Sequence, residues 1–310
     1  MRVVTLTGNL LAEWTFEMED APSTGATQRA RSMSFQVGGK GINVARILKR
    51  LGAEALALGF ADGPLADLCA EWLTARGLEH ALFPLGSGVR PGLVVRAPET
   101  AGGAETTFLG TDLPVPAASW KAACQRAAQE RPDWLAVCGS IPGWRASWTA
   151  QLRDLRAGVP PVRVAVDTYG APLKDLSALP LDLVKINRSE LDRLLPECAG
   201  QPAGEALARA MDQFAPRNWI VTDGPRPLLA AFADGSRLEL LPAAIPEASP
   251  TGSGDTFLAA FLHAWQPGKD SSAALAHAGA CASANAASAG IGDFPLPVPQ
   301  RFMPEVRPLA

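Results

Sequence analysis

Two things are scarce in this 310-residue chain: cysteine, and any excess of charge of one sign. The five cysteines, Cys69, Cys124, Cys138, Cys198 and Cys281, are scattered, and none forms C-x-x-C. That spacing argues against a disulfide framework or a zinc site and fits a reducing cytoplasm. Cys138, inside the apolar run WLAVC, reads as core packing. Lysine and arginine number 28 against 31 aspartate and glutamate, a formal net charge of -3. No broad basic field is left to neutralise nucleic-acid phosphates. No apolar stretch reaches the roughly 20 residues that a membrane helix needs. The opening MRVVTLTGNLLAEWTF lacks the basic start and long apolar run of a secretory signal, and reads as a strand.

What is present is core material and alternation. Hydrophobic residues make up 47% of the chain, enough for a sizeable interior. Val44, Ile47, Leu48 and Leu51 recur at helical spacing, followed by the strand-like ALALGF at 55–60. Further extended runs fall at 134–140, 162–168, 181–187 and 218–224, with helical patterns near 119–130, 145–157 and 203–214. Short apolar runs separated by helices predict an α/β protein: three α/β/α layers around a mostly parallel sheet. In such sheets ligands bind beyond the carboxyl ends of the strands. Several runs end there in polar residues or glycine: Gly139-Ser140, Asp167-Thr168, Asn187 and Thr222-Gly224. Residues 8–37 and 88–112 break the alternation and read as a small β-sheet lid, with a loop at 98–104. The chain shows no repeat and no linker, so 1–310 is expected to be one domain. The tail from Pro295 reads as irregular.

The sharpest signal is SPTGSGDTF at 249–257, just before an apolar helical run. Its glycines permit a tight turn, and the helix that follows starts with unpaired N–H groups and a positive dipole end. Gly252, Ser253 and Gly254 would then form an anion site, with Asp255 placed to take a proton from an attacking hydroxyl. A glycine turn with an aspartate cap is the plainer alternative. The spacing is not that of a Walker loop. A second glycine cluster, GGKGINVAR, opens another helix. Gly38 and Gly39 let the backbone approach a ligand, Asn43 offers both a donor and an acceptor, and Lys40 adds charge or is merely solvated.

Together these two segments, in this order and spacing, resemble the paired signatures of the PfkB/ribokinase family of carbohydrate kinases. The resemblance covers nearly the whole chain and implies a ribokinase-like fold with ATP and Mg2+ at the site. GGKGINVAR, Arg29 and VRPGLVV look closest to the 1-phosphofructokinase and tagatose-6-phosphate kinase branch, which phosphorylates a sugar phosphate. By that resemblance Asp255 is the base, and the Gly252–Gly254 amides meet the transition state. Asn187 and Glu190, in KINRSEL, match an N-x-x-E element that organises Mg2+ through water. Thr222 and Gly224 lie beside the nucleotide, and Asn285 lies near the adenine. Gly38, Gly39 and Asn43 bind sugar, while Arg29 and Arg90 grip its phosphate. The same spacing also suits Asn187 as a helix cap with Glu190 at the third helical position. Arg29 and Arg90 also suit a solvated surface, Asn285 an exposed helix face, and Asp167 either a loop brace or the site. One departure concerns the start of the chain. Leu11 stands where the family's sugar-binding aspartate is expected, with Glu13 or Asn9 as substitutes. The family often pairs its lids, so a homodimer is implied. A kinase of an unphosphorylated sugar or nucleoside, or a non-catalytic sugar-phosphate-binding protein, are the alternatives.

Overall fold

The computed structural model describes residues 1–98 and 105–309. The first half holds β1 (Arg2–Thr7), β2 (Leu11–Met18), β3 (Ala30–Gly38), α1 (Lys40–Arg50), β4 (Glu54–Phe60), α2 (Pro64–Ala75), β5 (Glu79–Phe83), β6 (Arg90–Arg96) and β7 (Glu105–Leu109). Next come α3 (Ala117–Glu130), β8 (Trp134–Cys138), α4 (Thr149–Ala157), β9 (Arg163–Asp167), α5 (Ala171–Leu176), β10 (Leu183–Asn187), α6 (Arg188–Leu194) and α7 (Ala203–Gln213). The chain finishes with β11 (Trp219–Asp223), β12 (Arg226–Ala231), β13 (Arg237–Leu241), α8 (Ser253–Ala264), α9 (Ser271–Ala286) and β14 (Glu305–Pro308).

Among the described residues one large sheet runs β14-β13-β12-β11-β10-β9-β8-β1-β4-β5. From β5 to β11 every pairing is parallel, while β12, β13 and β14 add an antiparallel edge. The central strands are apolar on both sides because helices cover both. Val3, Ala57 and Ala136 face a core shared with Ile47, Phe257, Phe261 and Leu275. Val4, Leu58 and Val137 face another built on Trp120, Leu152, Leu191 and Leu207. This is the expected three-layer α/β/α arrangement. In the second core Trp120 stacks on Trp148 at 5.1 Å between ring centroids. Truncating such a buried ring typically costs about 3–5 kcal/mol.

The antiparallel edge was not anticipated, and it corrects the expectation of an irregular tail. Glu305–Pro308 pair with β13, Leu240 opposite Val306, so the last residues close that edge. The lid is a second, four-stranded sheet ordered β3-β2-β6-β7, within the two segments expected to form it. The loop expected at 98–104 lies, from residue 99 on, outside the described residues. Register sorts the lid into two sides. Trp14 pairs with Phe35 and Leu93, and Leu93 with Phe108, so these rings share one side. Glu13 with Gln36, Thr15 with Ser34 and Glu17 with Ser32 make the other side polar.

Parallel register also aligns the strand ends. Thr7 stands beside Cys138, Cys138 beside Asp167, and Asn187 beside Thr222, all at one edge of the sheet. The start of α1 and the start of α8 meet that same edge.

Candidate active site

Gly252 caps α8 with φ at +77°, and a Cβ there would lie 2.6 Å from Ile291 Cγ2. Glycine alone makes that turn without strain. The turn decides which amides stay open. Ser253 N–H donates back to Pro250 O at 3.2 Å, and Thr256 N–H donates to Gly252 O at 2.8 Å. Among the described residues no acceptor engages the amides of Gly254 and Asp255. With the helix dipole behind them, these two N–H groups form a cup that could receive an anion. Ser253 is corrected in part: its amide is used by the protein itself, because the turn folds it inward.

Asp255 is 7% exposed and accepts a hydrogen bond from Asn43 Nδ2 at 2.8 Å. Burial pushes its carboxyl up to about 6. The Asp167 charge adds to the rise, while the Asn43 bond, Lys40 and Lys185 oppose it. Asn43 Oδ1 is buried and has no partner among the described residues. A buried acceptor left open beside a carboxylate suits a hydroxyl proton on a bound molecule.

Two lysines complete the centre. Asp167 is fully buried and pairs with Lys40 Nζ at 2.6 Å and Lys185 Nζ at 2.7 Å. Burial alone would raise its carboxyl, but the two ammonium groups outweigh burial and hold it below the usual range. Burial likewise works against the Lys40 ammonium, and Asp167 and Glu190 overcome it, so its pKa is raised. Lys185 reaches further. A Cβ built on Gly254 would lie 2.9 Å from Lys185 Nζ, so this ammonium rests against the amide cup. Sequence reading left Asp167 open between brace and site, and missed Lys185. The available signal was a lysine inside the apolar strand LVKIN, since a charge buried in a sheet requires a partner.

Asn187 and Glu190 form a reciprocal cap on α6. Glu190 N–H donates to Asn187 Oδ1 at 2.9 Å, and Asn187 N–H donates to Glu190 Oε2 at 2.9 Å. Glu190 Oε1 stays open toward Lys40, 3.5 Å away. Among the described residues no group of three or more His, Cys, Asp or Glu could hold a metal ion. The donors present fit a Mg2+ carried by nucleotide phosphates and water, and do not fit one caged by the protein.

Behind the cup lies a cavity of about 560 Å³, lined by Thr222, Gly224, Ile245, Ser253, Gly254, Phe257 and Ala286. Its largely apolar walls and its opening onto Gly254 suit a flat base with phosphates toward the cup. Thr222 and Gly224, the strand-end pair singled out in the sequence, line the cavity. Asn285 is 1% exposed and is not among the residues that line this space. Its Nδ2 donates to Thr251 O at 3.0 Å and Ser253 Oγ at 3.1 Å, and its Oδ1 accepts from Gly292 N–H at 2.7 Å. It braces the glycine turn, and its neighbours Ala282, Ser283 and Ala286 line the cavity instead.

On the other side of Asp255, Gly39 precedes α1 with φ at +116°, and a Cβ there would lie 2.6 Å from Thr7 Cγ2. Gly38 stands beside Leu11, and Leu11 beside Arg90, at the root of the lid. Of the two substitutes for a carboxylate at position 11, Glu13 is bonded to Gln36 across the lid. Asn9 instead donates to Asp112 Oδ1 at 2.9 Å and to Ser140 Oγ at 3.0 Å. Arg90 donates through Nε to Gly110 O at 2.9 Å and faces Asp112 Oδ1 at 3.3 Å. Arg29 does not join it. The lid register runs from Leu11 opposite Gly38 to Met18 opposite Ala30, and Arg29 precedes Ala30. At about 3.3 Å per residue, the exposed Arg29 and the half-buried Arg90 lie roughly 25 Å apart along the ladder. Within one chain they cannot grip the same phosphate.

Comparison with known proteins identifies relatives of the whole chain. A family model described as pfkB family carbohydrate kinase matches residues 3–299. The chain is 28% identical over 283 residues to a 1-phosphofructokinase of Rhodobacter capsulatus, covering 87% of this chain and 85% of the relative. It is 29% identical over 282 residues to a 1-phosphofructokinase of Haloferax volcanii, covering 88% and 87%. Among solved structures, phosphofructokinase-2 from Escherichia coli in complex with potassium superposes with a TM-score of 0.83 at 20% identity, covering 94% of each chain. A carbohydrate kinase from Agrobacterium tumefaciens gives 0.74 at 19% identity over 100% of both chains.

Proposed function

The chain belongs to the pfkB family of carbohydrate kinases, and from that premise we propose that it moves the γ-phosphoryl group of ATP onto a hydroxyl of a sugar phosphate. The observation that carries this reading is the Asp255 carboxylate standing between the open Gly254 and Asp255 amides and the unpartnered Asn43 Oδ1. The curated relatives named 1-phosphofructokinase support a phosphorylated acceptor.

In the proposed step, Asn43 Oδ1 orients the acceptor by accepting from a neighbouring hydroxyl, and Asp255 takes the proton of the reacting hydroxyl. The hydroxyl oxygen forms a bond to the γ-phosphorus as the bond from that phosphorus to the bridging oxygen breaks, leaving ADP. The two open amides and the Lys185 ammonium meet the charge on the moving group. Lys40 and Lys185 are held in place by Asp167. Asn187 and Glu190 would hold Mg2+ through water, and when bound that ion neutralises phosphate charge and orients the phosphate chain. Thr222 and Gly224 flank the nucleotide. Gly38 and Gly39 let the sugar approach the backbone, and the lid keeps water out.

Arg90 is the cation this chain offers to the acceptor's phosphate. Arg29 meets that phosphate only from the lid of a second copy. The exposed rings on the apolar side of the lid favour such a homodimer: Phe108 is 58% exposed and Met33, beside them, 62%. The five buried thiols are in keeping with a cytoplasmic protein.

The separation of Arg29 from Arg90 favours a second reading, a kinase of an unphosphorylated sugar. A coupled ADP-release assay over paired sugars and sugar phosphates tests both. Turnover confined to phosphorylated acceptors is the expected result. Equal or better turnover of the free sugar selects the second reading, and no acceptor-dependent ADP release overturns both.

A further inference from the structure

The root of the lid holds a polar cluster that the transfer step does not use. Asp112 Oδ1 takes the Asn9 amide and faces the Arg90 guanidinium. Its other oxygen has no partner among the described residues, and the side chain is 56% exposed. The cluster belongs to the acceptor side of the site by its backbone. Asn9 O lies 3.4 Å from where a Cβ on Gly39 would stand, and Gly39 caps the helix that carries Lys40 and Asn43. Ser140, which shares the Asn9 amide, follows Gly139, whose own Cβ position is 3.9 Å from Lys40 Cβ. The strand start beside Arg90 offers no polar atom, because Leu11 occupies it.

The geometry points to Asp112 as a specificity-determining residue whose free carboxylate oxygen accepts a hydroxyl of the acceptor sugar. Asn9 and Arg90 both engage Oδ1, which leaves Oδ2 free to accept from a bound molecule. A hydroxyl donating to an ionised oxygen makes a charge-assisted bond, and a site built for one loses about 10- to 100-fold in affinity without it. Arg90 keeps further N–H groups for an acceptor phosphate beyond those turned to Gly110 and Asp112. The carboxylate and the guanidinium thus read different groups of one molecule.

The inference rests on the proposed sugar-phosphate kinase reading, and its test separates the two. In Asp112→Asn the KM for the sugar phosphate should rise about 10-fold or more, with the KM for ATP within about twofold of wild type. Inorganic phosphate, used as a competitor of the sugar phosphate, should keep its inhibition constant. A residue that merely held Arg90 in place would move both constants together. Leu11→Asp added to Asp112→Asn should recover most of the lost affinity, because register sets position 11 directly beside Arg90. An unmoved KM in an Asp112→Asn enzyme whose wild type is active overturns this inference alone, as does a joint shift of KM and the phosphate constant. A wild type inactive on every sugar phosphate overturns the proposed function and this inference with it.

Discussion

The two sheets treat their surfaces in opposite ways. The large one is covered on both sides, and the charged groups at its edge are buried with partners: Asp167 between two lysines, and Asp255 on Asn43. The lid exposes a side of aromatic rings and carries its polar groups in the open, with Asp112 more than half exposed. The proposed chemistry of group transfer therefore sits among buried, paired side chains, where low dielectric strengthens each charge. Acceptor recognition sits where strands from distant segments meet. A fixed centre gives rate, and an adjustable rim gives substrate choice.

Substitutions on each side should separate these roles. The largest effect belongs to the centre. Asp255→Asn should lower kcat by about 10²- to 10⁴-fold, while ATP binding followed by tryptophan fluorescence stays close to wild type. Its stability should not fall. The folded pKa of Asp255, about 6, lies above its ordinary 3.8, so the stability this group contributes is present at low pH and lost as pH rises through 6. At pH 7.5 a neutral Asn removes that penalty, and the variant should melt no lower than wild type in calorimetry.

Lys185→Met comes next. Losing a cation against the amide cup should cost about 10²-fold in kcat. It also strips Asp167 of one of its two partners, and breaking a buried pair costs about 3–5 kcal/mol before Lys40 compensates. Adding Asp167→Asn should restore the melting temperature but not turnover. Recovery of both would reduce Lys185 to a structural brace. The smallest effect on the chain itself belongs to the lid: Met33→Asp, on the exposed apolar side, should leave far-UV circular dichroism and melting nearly unchanged. Sedimentation velocity should nevertheless show the proposed homodimer replaced by monomer, and a sedimentation coefficient unchanged from wild type would contradict pairing through this side of the lid.

The same contrast explains what could be read from the chain itself. The layered fold and the α8 centre were legible because their signals are local: apolar runs between helical spacing, and a glycine turn set directly before a helix. Asp167 and Lys185 were harder, since their meaning depends on parallel neighbours brought together only by the sheet. The burial of Asn285 was not legible, because α9 is built almost wholly of small residues and periodicity gives no sign of which side is buried. Arg29 and Arg90 were grouped by resemblance to family positions, whereas lid register sets them at opposite ends of the ladder. Asp112 carried no sequence signal, for its partners Asn9, 103 positions away, and Arg90 reach it only once the lid has folded.

The most direct test of the buried base is the pH profile of kcat/KM for the acceptor. An ionised Asp255 is required to take the proton, so the rate should fall tenfold per pH unit below about 6 and level off above it. The residual activity of Asp255→Asn should lack that limb. A wild-type profile that stays flat down to pH 5, or an identical limb in the variant, would contradict the account.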